Sequence, residues 1–170
     1  MRNVVMLVVP VAMAGAAHAG TLELTVEIPK LNVAEYHRPY IAIWIEDASS
    51  KVAANLSVWY DIKLKDQEGE KWLKDIRQWW RRTGRELTLP VDGVSSPTKP
   101  PGNNTVKFDT ASGPIAKLPA GEYKIIVEAS REVGGKELVE IPFKWAPGAE
   151  ATGSASGKAE LGAVTLKLTK

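Results

Sequence analysis

Past residue 19 this chain contains no sulfur. It has no cysteine, and its three methionines, Met1, Met6 and Met13, all precede that point. One of its two histidines is His18, so His37 is the only imidazole in the remainder. Without cysteine there is no disulfide and no thiolate nucleophile. Copper sites built on Met or Cys, zinc sites with several histidines and His/Met haem ligation are excluded too. A hard cation held by carboxylates stays open. The sequence also lacks a Gly-rich phosphate loop, an HExxH helix and a GxSxG elbow. A surplus of charge of one sign is missing as well. Twenty-two Lys and Arg face 20 Asp and Glu, a net charge of +2, which argues against a polyanion binder driven by charge.

There is one long apolar run, Val4 to Ala17, preceded by Arg2 and followed by Ala17–His18–Ala19. A positive start, an apolar middle and an A-x-A end make a cleavable signal peptide. The expected cut follows Ala19, so that Gly20 begins the mature protein. The run is too short and wrongly flanked for a lasting anchor. Residues 20–170 then form one domain.

Alternation of apolar and polar residues dominates the remainder. In Thr21 to Ile28, Leu22, Leu24, Val26 and Ile28 share one face, the pattern of a half-buried strand. Tyr40 to Glu46 and Val52 to Tyr60 read as a hairpin around Asp47–Ala48–Ser49–Ser50–Lys51. Leu87–Thr88–Leu89 reads as a strand stub, Asp92 to Gly102 as turn throughout, and Thr105 to Phe108 as a short strand. Tyr123 to Arg131 and Glu137 to Trp145 flank a Gly134–Gly135 hairpin turn, and Pro142 predicts an edge position or bulge for the second of them. Ala146 to Lys158, rich in Gly, Ala and Ser, reads as a flexible loop before a last strand over Glu160 to Leu168.

One stretch departs from this pattern. Over residues 70–83, Trp72, Leu73, Ile76, Trp79 and Trp80 form an apolar stripe at helical spacing. Gly84 stands where a left-handed cap is wanted, and Arg81, Arg82 and Arg85 sit where cations suit the helix dipole. A helix of about four turns is unstable alone, so it must lay its indoles on the strands. The expected fold is therefore an all-β, immunoglobulin-like sandwich of about seven or eight strands with Greek-key connections and one inserted amphipathic helix.

Several motifs carry a resemblance. Arg38–Pro39–Tyr40–Ile41–Ala42–Ile43–Trp44–Ile45–Glu46–Asp47, Trp72–Leu73–Lys74 with Arg77–Gln78–Trp79–Trp80, Asp92–Gly93–Val94–Ser95, and Leu118–Pro119–Ala120–Gly121–Glu122–Tyr123 with Val127 to Gly135 follow one another in order. Together they resemble a bacterial periplasmic family known as domain of unknown function 2271. The resemblance implies an immunoglobulin-like sandwich and export. It also implies a setting near inner-membrane reductases with PepSY-type domains and near iron-uptake functions. It carries no established activity and no catalytic residues.

The candidate binding residues are Trp72, Arg77, Trp79, Trp80 and Arg81, with Asp47 and Arg131. The indoles and arginines offer either a stacking platform or filling between helix and sheet. Asp47 and Arg131 each end a strong strand and offer either a buried ion pair at one end of the sandwich or solvated loop charges. His37, between Tyr36 and Arg38, offers a metal ligand or acid–base group, or a surface residue with no evident carboxylate partner. The leading functional reading is an exported, non-enzymatic binding or accessory module partnered by a periplasmic or inner-membrane protein. Alternatives are a carrier for a sugar, flavin or iron chelate, and a hydrolase using a carboxylate pair such as Glu46 and Asp47. No catalytic residue, cofactor or metal is assigned, and nucleic acid is not an expected partner.

Overall fold

The computed structural model describes residues 20–170; the expected signal peptide lies outside them. Nine strands occur among the described residues: β1 Thr21–Ile28, β2 Tyr40–Asp47, β3 Val52–Tyr60, β4 Ser95–Pro97, β5 Gly102–Asp109, β6 Gly121–Ser130, β7 Lys136–Trp145, β8 Ala151–Ser156 and β9 Ala163–Thr169. They form two sheets, ordered β5-β1-β9-β8 and β4-β3-β2-β6-β7. Pairing is antiparallel except between β3 and β4. The expected all-β sandwich with a helical insertion is what forms.

The alternation read from the sequence sets the core. Leu22, Leu24 and Val26 of β1 and Val164, Leu166 and Leu168 of β9 face inward from the four-stranded sheet. Ile41, Ile43 and Ile45 of β2, with Ile125 and Val127 of β6, meet them from the other. The outer face of β2 is buried as well: Ala42 and Trp44 join Val58, Tyr60 and Ile126 in a second cluster covered by the segment between β3 and β4. A central strand covered on both sides reads as a nearly continuous apolar run, which is what Tyr40–Glu46 is. Pro142 falls in β7, the edge of its sheet, where a missing amide breaks no ladder.

Three local expectations fail. Leu87–Leu89 is not a strand; both leucines pack from a loop against the second cluster. The turn region after Asp92 contains β4, which runs parallel to β3 over Ser95–Pro97. The expected loop over Ala146 to Lys158 contains β8, fully paired with β9. Its Ala, Gly and Ser residues have low strand propensity, but small size is what the position requires. A Cβ on Gly153 would stand 2.5 Å from Cγ2 of Ile141 on the other sheet. Gly153→Ala should therefore cost about 1–3 kcal/mol through overpacking, read as a lower denaturant midpoint at unchanged slope.

The insertion differs most from expectation. A 3₁₀ run spans Lys65–Asp75, interrupted by left-handed backbone at Asp66 and Gln67. Ile76 breaks it, and the α-helix proper, α1, covers only Arg77–Arg82. The buried residues are Leu73, Ile76 and Trp79. Their spacing of three suits the threefold repeat of a 3₁₀ helix better than one regular α-helix, and it leaves Trp72 out of the buried stripe. Gly84 is not a left-handed cap. A Cβ there would lie 2.6 Å from Cζ3 of Trp79, so its role is to let the indole pass.

Candidate functional site

The break at Ile76 has a partner on the sheet. A continuous helix would use the amides of residues 77–79 for bonds to carbonyls four residues back. Here Glu128 of β6 takes them: Gln78 N donates to both carboxylate oxygens at 3.0 Å, and Trp79 N donates to Oε2 at 2.9 Å. Burial raises the Glu128 carboxyl above its ordinary value, and the backbone amides of Trp79, Gln78 and Arg77 only partly offset this. The folded protein thus holds that proton more tightly than the unfolded chain. In the pH window just above 4.5, this carboxyl's contribution to stability should fall as pH rises, because the native state still holds its proton where the unfolded chain has lost it. Glu128→Gln should flatten that slope, measured by urea unfolding across the window; an unchanged slope would assign it to other groups.

The far end of α1 is tied down by a second buried carboxylate. Glu46 accepts from Trp44 Nε1 at 2.8 Å and pairs with Arg82 Nη1 at 3.0 Å. Asn55 completes the seat, donating to Thr83 Oγ1 and accepting from Trp79 Nε1, both at 2.9 Å.

This docking places the start of the insertion beside the ends of β2 and β6 and opens a cleft of about 290 Å³ there. The insertion contributes Asp61, Leu64, Trp72 and Asp75, the β1–β2 connector with the start of β2 contributes His37, Arg38 and Tyr40, and the β6 end contributes Ser130, Glu132 and Val133. Trp72 is 46% exposed, Leu64 46% and Val133 76%, so the rim is apolar and open. Lys74 Nζ lies 6.0 Å from the centre of the Trp72 ring, within reach of its electron-rich face.

The polar floor is well defined. His37 Nε2 lies 2.8 Å from Glu35 Oε1, and Nδ1 lies 3.4 Å from Glu132 Oε2. Both ring nitrogens face carboxylates, so neither is left to accept a serine proton. Asp61 Oδ1 accepts from Thr98 at 3.1 Å, and Asp75 Oδ1 accepts from Lys136 Nζ at 3.4 Å. Tyr40 stacks edge-on against Tyr60 with centroids 6.3 Å apart. Its phenol is pushed up to about 12, first by burial and then by the charges of Asp61 and Glu132, against an opposing backbone hydrogen bond. It therefore keeps its proton at neutral pH and stays a hydrogen-bond donor.

Of the candidate binding residues, only Trp72 lines this cleft; His37, weighed separately as a ligand or acid–base group, lines it too. Trp79 is fully buried and serves as the anchor of the insertion. Trp80 is half-buried against Trp79, with ring centroids 6.3 Å apart. Arg77 and Arg81 are exposed and make no ion pair among the described residues. Asp47 and Arg131 are not brought together. Asp47 ends β2 and Arg131 follows β6; these neighbouring strands are antiparallel, with Asp47 opposite Tyr123 and Tyr40 opposite Ser130, so the two residues lie at opposite ends of the strand pair. Asp47 closes its own turn, accepting from Ser49 N, Ser49 Oγ and Lys51 N. Arg131 makes a buried fork with Glu160 at 2.8 and 3.1 Å. Glu46 faces the insertion while Asp47 turns outward, so that pair forms no cleft for hydrolysis. Ser95 Oγ accepts from Val91 N in the β4 turn.

His37, Tyr40, Asp61, Asp75 and Glu132 were not assigned together from the sequence. One signal was available: Glu35 precedes His37 by two, and residues two apart on extended backbone share a side. The rest depends on strand pairing and the fold of the insertion.

Residues 21–163 match a family described as a predicted periplasmic protein, domain of unknown function 2271. The chain belongs to this family. The matched span contains every residue lining the cleft. No curated protein and no solved structure matches. Among the described residues of this family member, no helix is long and apolar enough to cross a membrane, and no group of three His, Asp or Glu side chains is arranged to hold a metal ion.

Proposed function

We propose that this member of the family is an exported, non-enzymatic binding module, released by cleavage after Ala19, that docks another periplasmic or inner-membrane protein through the cleft beside Trp72. The observation that carries the reading is the half-exposed indole of Trp72 on a rim shared with Leu64 and Val133. Large apolar groups clustered in the open around a concavity mark interaction sites. Arg77 and Arg81, exposed on the adjoining α1, belong to the periphery of the same surface. Trp80, Trp79, Asp47 and Arg131 support the fold instead. The setting implied by the family supplies the partner class to test first, an inner-membrane reductase with a PepSY-type domain or an iron-uptake component.

A carrier for a sugar, flavin or iron chelate is less well served. Small-molecule pockets enclose most of their ligand, whereas this cleft of about 290 Å³ is open, with Trp72, Leu64 and Val133 exposed at its rim.

The test is capture of the candidate reductase domain by the mature protein and by Trp72→Ala. A half-exposed side chain contributes little to folding, so the variant should unfold within about 0.5 kcal/mol of the wild type while losing most of its capture. Equal capture by both proteins would remove the cleft from the binding story.

A further inference from the structure

We propose that the cleft accepts a basic side chain, lysine or arginine, presented by an extended segment of the partner protein. This rests on the reading of the cleft as the docking site and names the chemistry it selects.

Four observations converge on a cation with an apolar stem. First, three carboxylates line the cleft, Asp61, Asp75 and Glu132, and none is fully engaged. Asp61 accepts from Thr98 at 3.1 Å and hydrogen-bonds with the Tyr40 phenol, and the contacts of Asp75 with Lys136 and of Glu132 with His37 are both 3.4 Å. An ionised carboxylate has about four acceptor positions, so each has capacity to spare. The cationic lining is Arg38 and, when protonated, His37, whose two nitrogens are already turned to Glu35 and Glu132. Lys74 and Lys136 stand near Trp72 and Asp75 at the margin.

Second, the Trp72 face is the wall an incoming ammonium or guanidinium prefers, and Lys74 already sits within cation–π distance of the ring. Third, the charges that act on the Tyr40 phenol are those of Asp61 and Glu132, both negative, and both side chains are open to solvent. Fourth, the volume of about 290 Å³ suits one long side chain rather than a dinucleotide-sized ligand. The Leu64 and Val133 rim, continued by exposed Ile62, offers apolar surface to the stem of that side chain and to its neighbours in the segment. A free polyamine would leave that rim uncovered, and this favours a protein segment as occupant.

The test uses the mature protein, isotopically labelled, and follows the Trp72 indole N–H by two-dimensional NMR. Three probes are titrated: a capped peptide Leu-Ala-Lys-Ala-Leu, its Glu counterpart, and spermidine. The Lys peptide should shift the Trp72 indole and the amides around Tyr40 and Glu132, with affinity falling as salt rises. The Glu peptide should bind at least tenfold more weakly. Asp61→Asn with Asp75→Asn should lower Lys-peptide affinity at least tenfold with the remaining spectrum unchanged; both residues are solvent-accessible, and their unfolding midpoint checks that the fold survives. Equal shifts from the Lys and Glu peptides would overturn the charge preference yet leave docking at Trp72 intact. Spermidine binding as tightly as the Lys peptide would overturn a protein segment as occupant. No shift from any probe would overturn this inference, and the docking reading itself would fail only if Trp72→Ala also captured the reductase domain like wild type.

Discussion

Trp79→Ala lowers the unfolding free energy by about 3–5 kcal/mol, the range for emptying a buried indole site. The ring has no exposed surface. It fills the joint between the outer face of the five-stranded sheet and the insertion, with Leu73, Ile76 and Trp44 around it, and Gly84 leaves room for its six-membered ring. Its Nε1 also donates to Asn55 Oδ1 at 2.9 Å, so truncation leaves a half-buried acceptor without this partner. For a domain of this size the loss corresponds to a fall in Tm on the order of 10 °C. Trp79→Phe keeps most of the packing and loses the hydrogen bond, so it should cost less than half as much. Hydrogen exchange adds a spatial check: in Trp79→Ala the amides of α1 should lose protection before those of β1 and β9. A change under 1 kcal/mol with α1 protection retained would mean that the insertion is held by Glu128 and the Glu46–Arg82 pair without the indole.

Removing one partner of the Arg131–Glu160 fork should cost a similar amount, about 3–5 kcal/mol, because it strands a charge in the interior. Both side chains are more than nine-tenths buried. Glu160 also accepts from Gly135 N at 2.7 Å, and a Cβ on Gly134 would come within 2.5 Å of the Arg131 guanidinium carbon. The fork therefore ties the β6–β7 turn to the approach of β9. Arg131→Ala and Glu160→Ala should each be strongly destabilising, while Arg131→Met with Glu160→Leu should recover most of the loss, since a buried pair replaced by apolar groups is often neutral. A double-mutant cycle in urea measures the coupling. If the double variant is as unstable as the sum of the singles, the pair does not act as a unit and the fork is not the tie described.

The two carboxylates that seat α1 show why the insertion resists reading. Hydrophobic period alone favours one regular helix across Trp72, Ile76 and Trp79. Glu128 lies some fifty positions away, and nothing local reveals that it captures the amides at which the helix is interrupted. The same limit separates Asp47 from Arg131. Each stands at the end of a strong strand, but the antiparallel register of β2 and β6 sends them to opposite ends of the strand pair, about 25 Å apart at some 3.3 Å per residue. β8 escaped for a related reason. Its small residues have poor strand propensity, and only the neighbouring Ile141 explains why larger ones are absent.

The sequence by itself determined the two-sheet architecture, the inward face of β1, the choice of edge or bulge for the strand carrying Pro142, and the lack of thiol chemistry past residue 19. These follow from side-chain period and composition, which are local properties of the chain. Tertiary structure alone decided which indole is open and which is buried, and which carboxylates pair. It also decided that His37, Tyr40, Asp61, Trp72, Asp75 and Glu132 share one cleft. A site assembled from the connector before β2, the end of β6 and an irregular insertion is a matter of register and docking, and no period within a single segment encodes either.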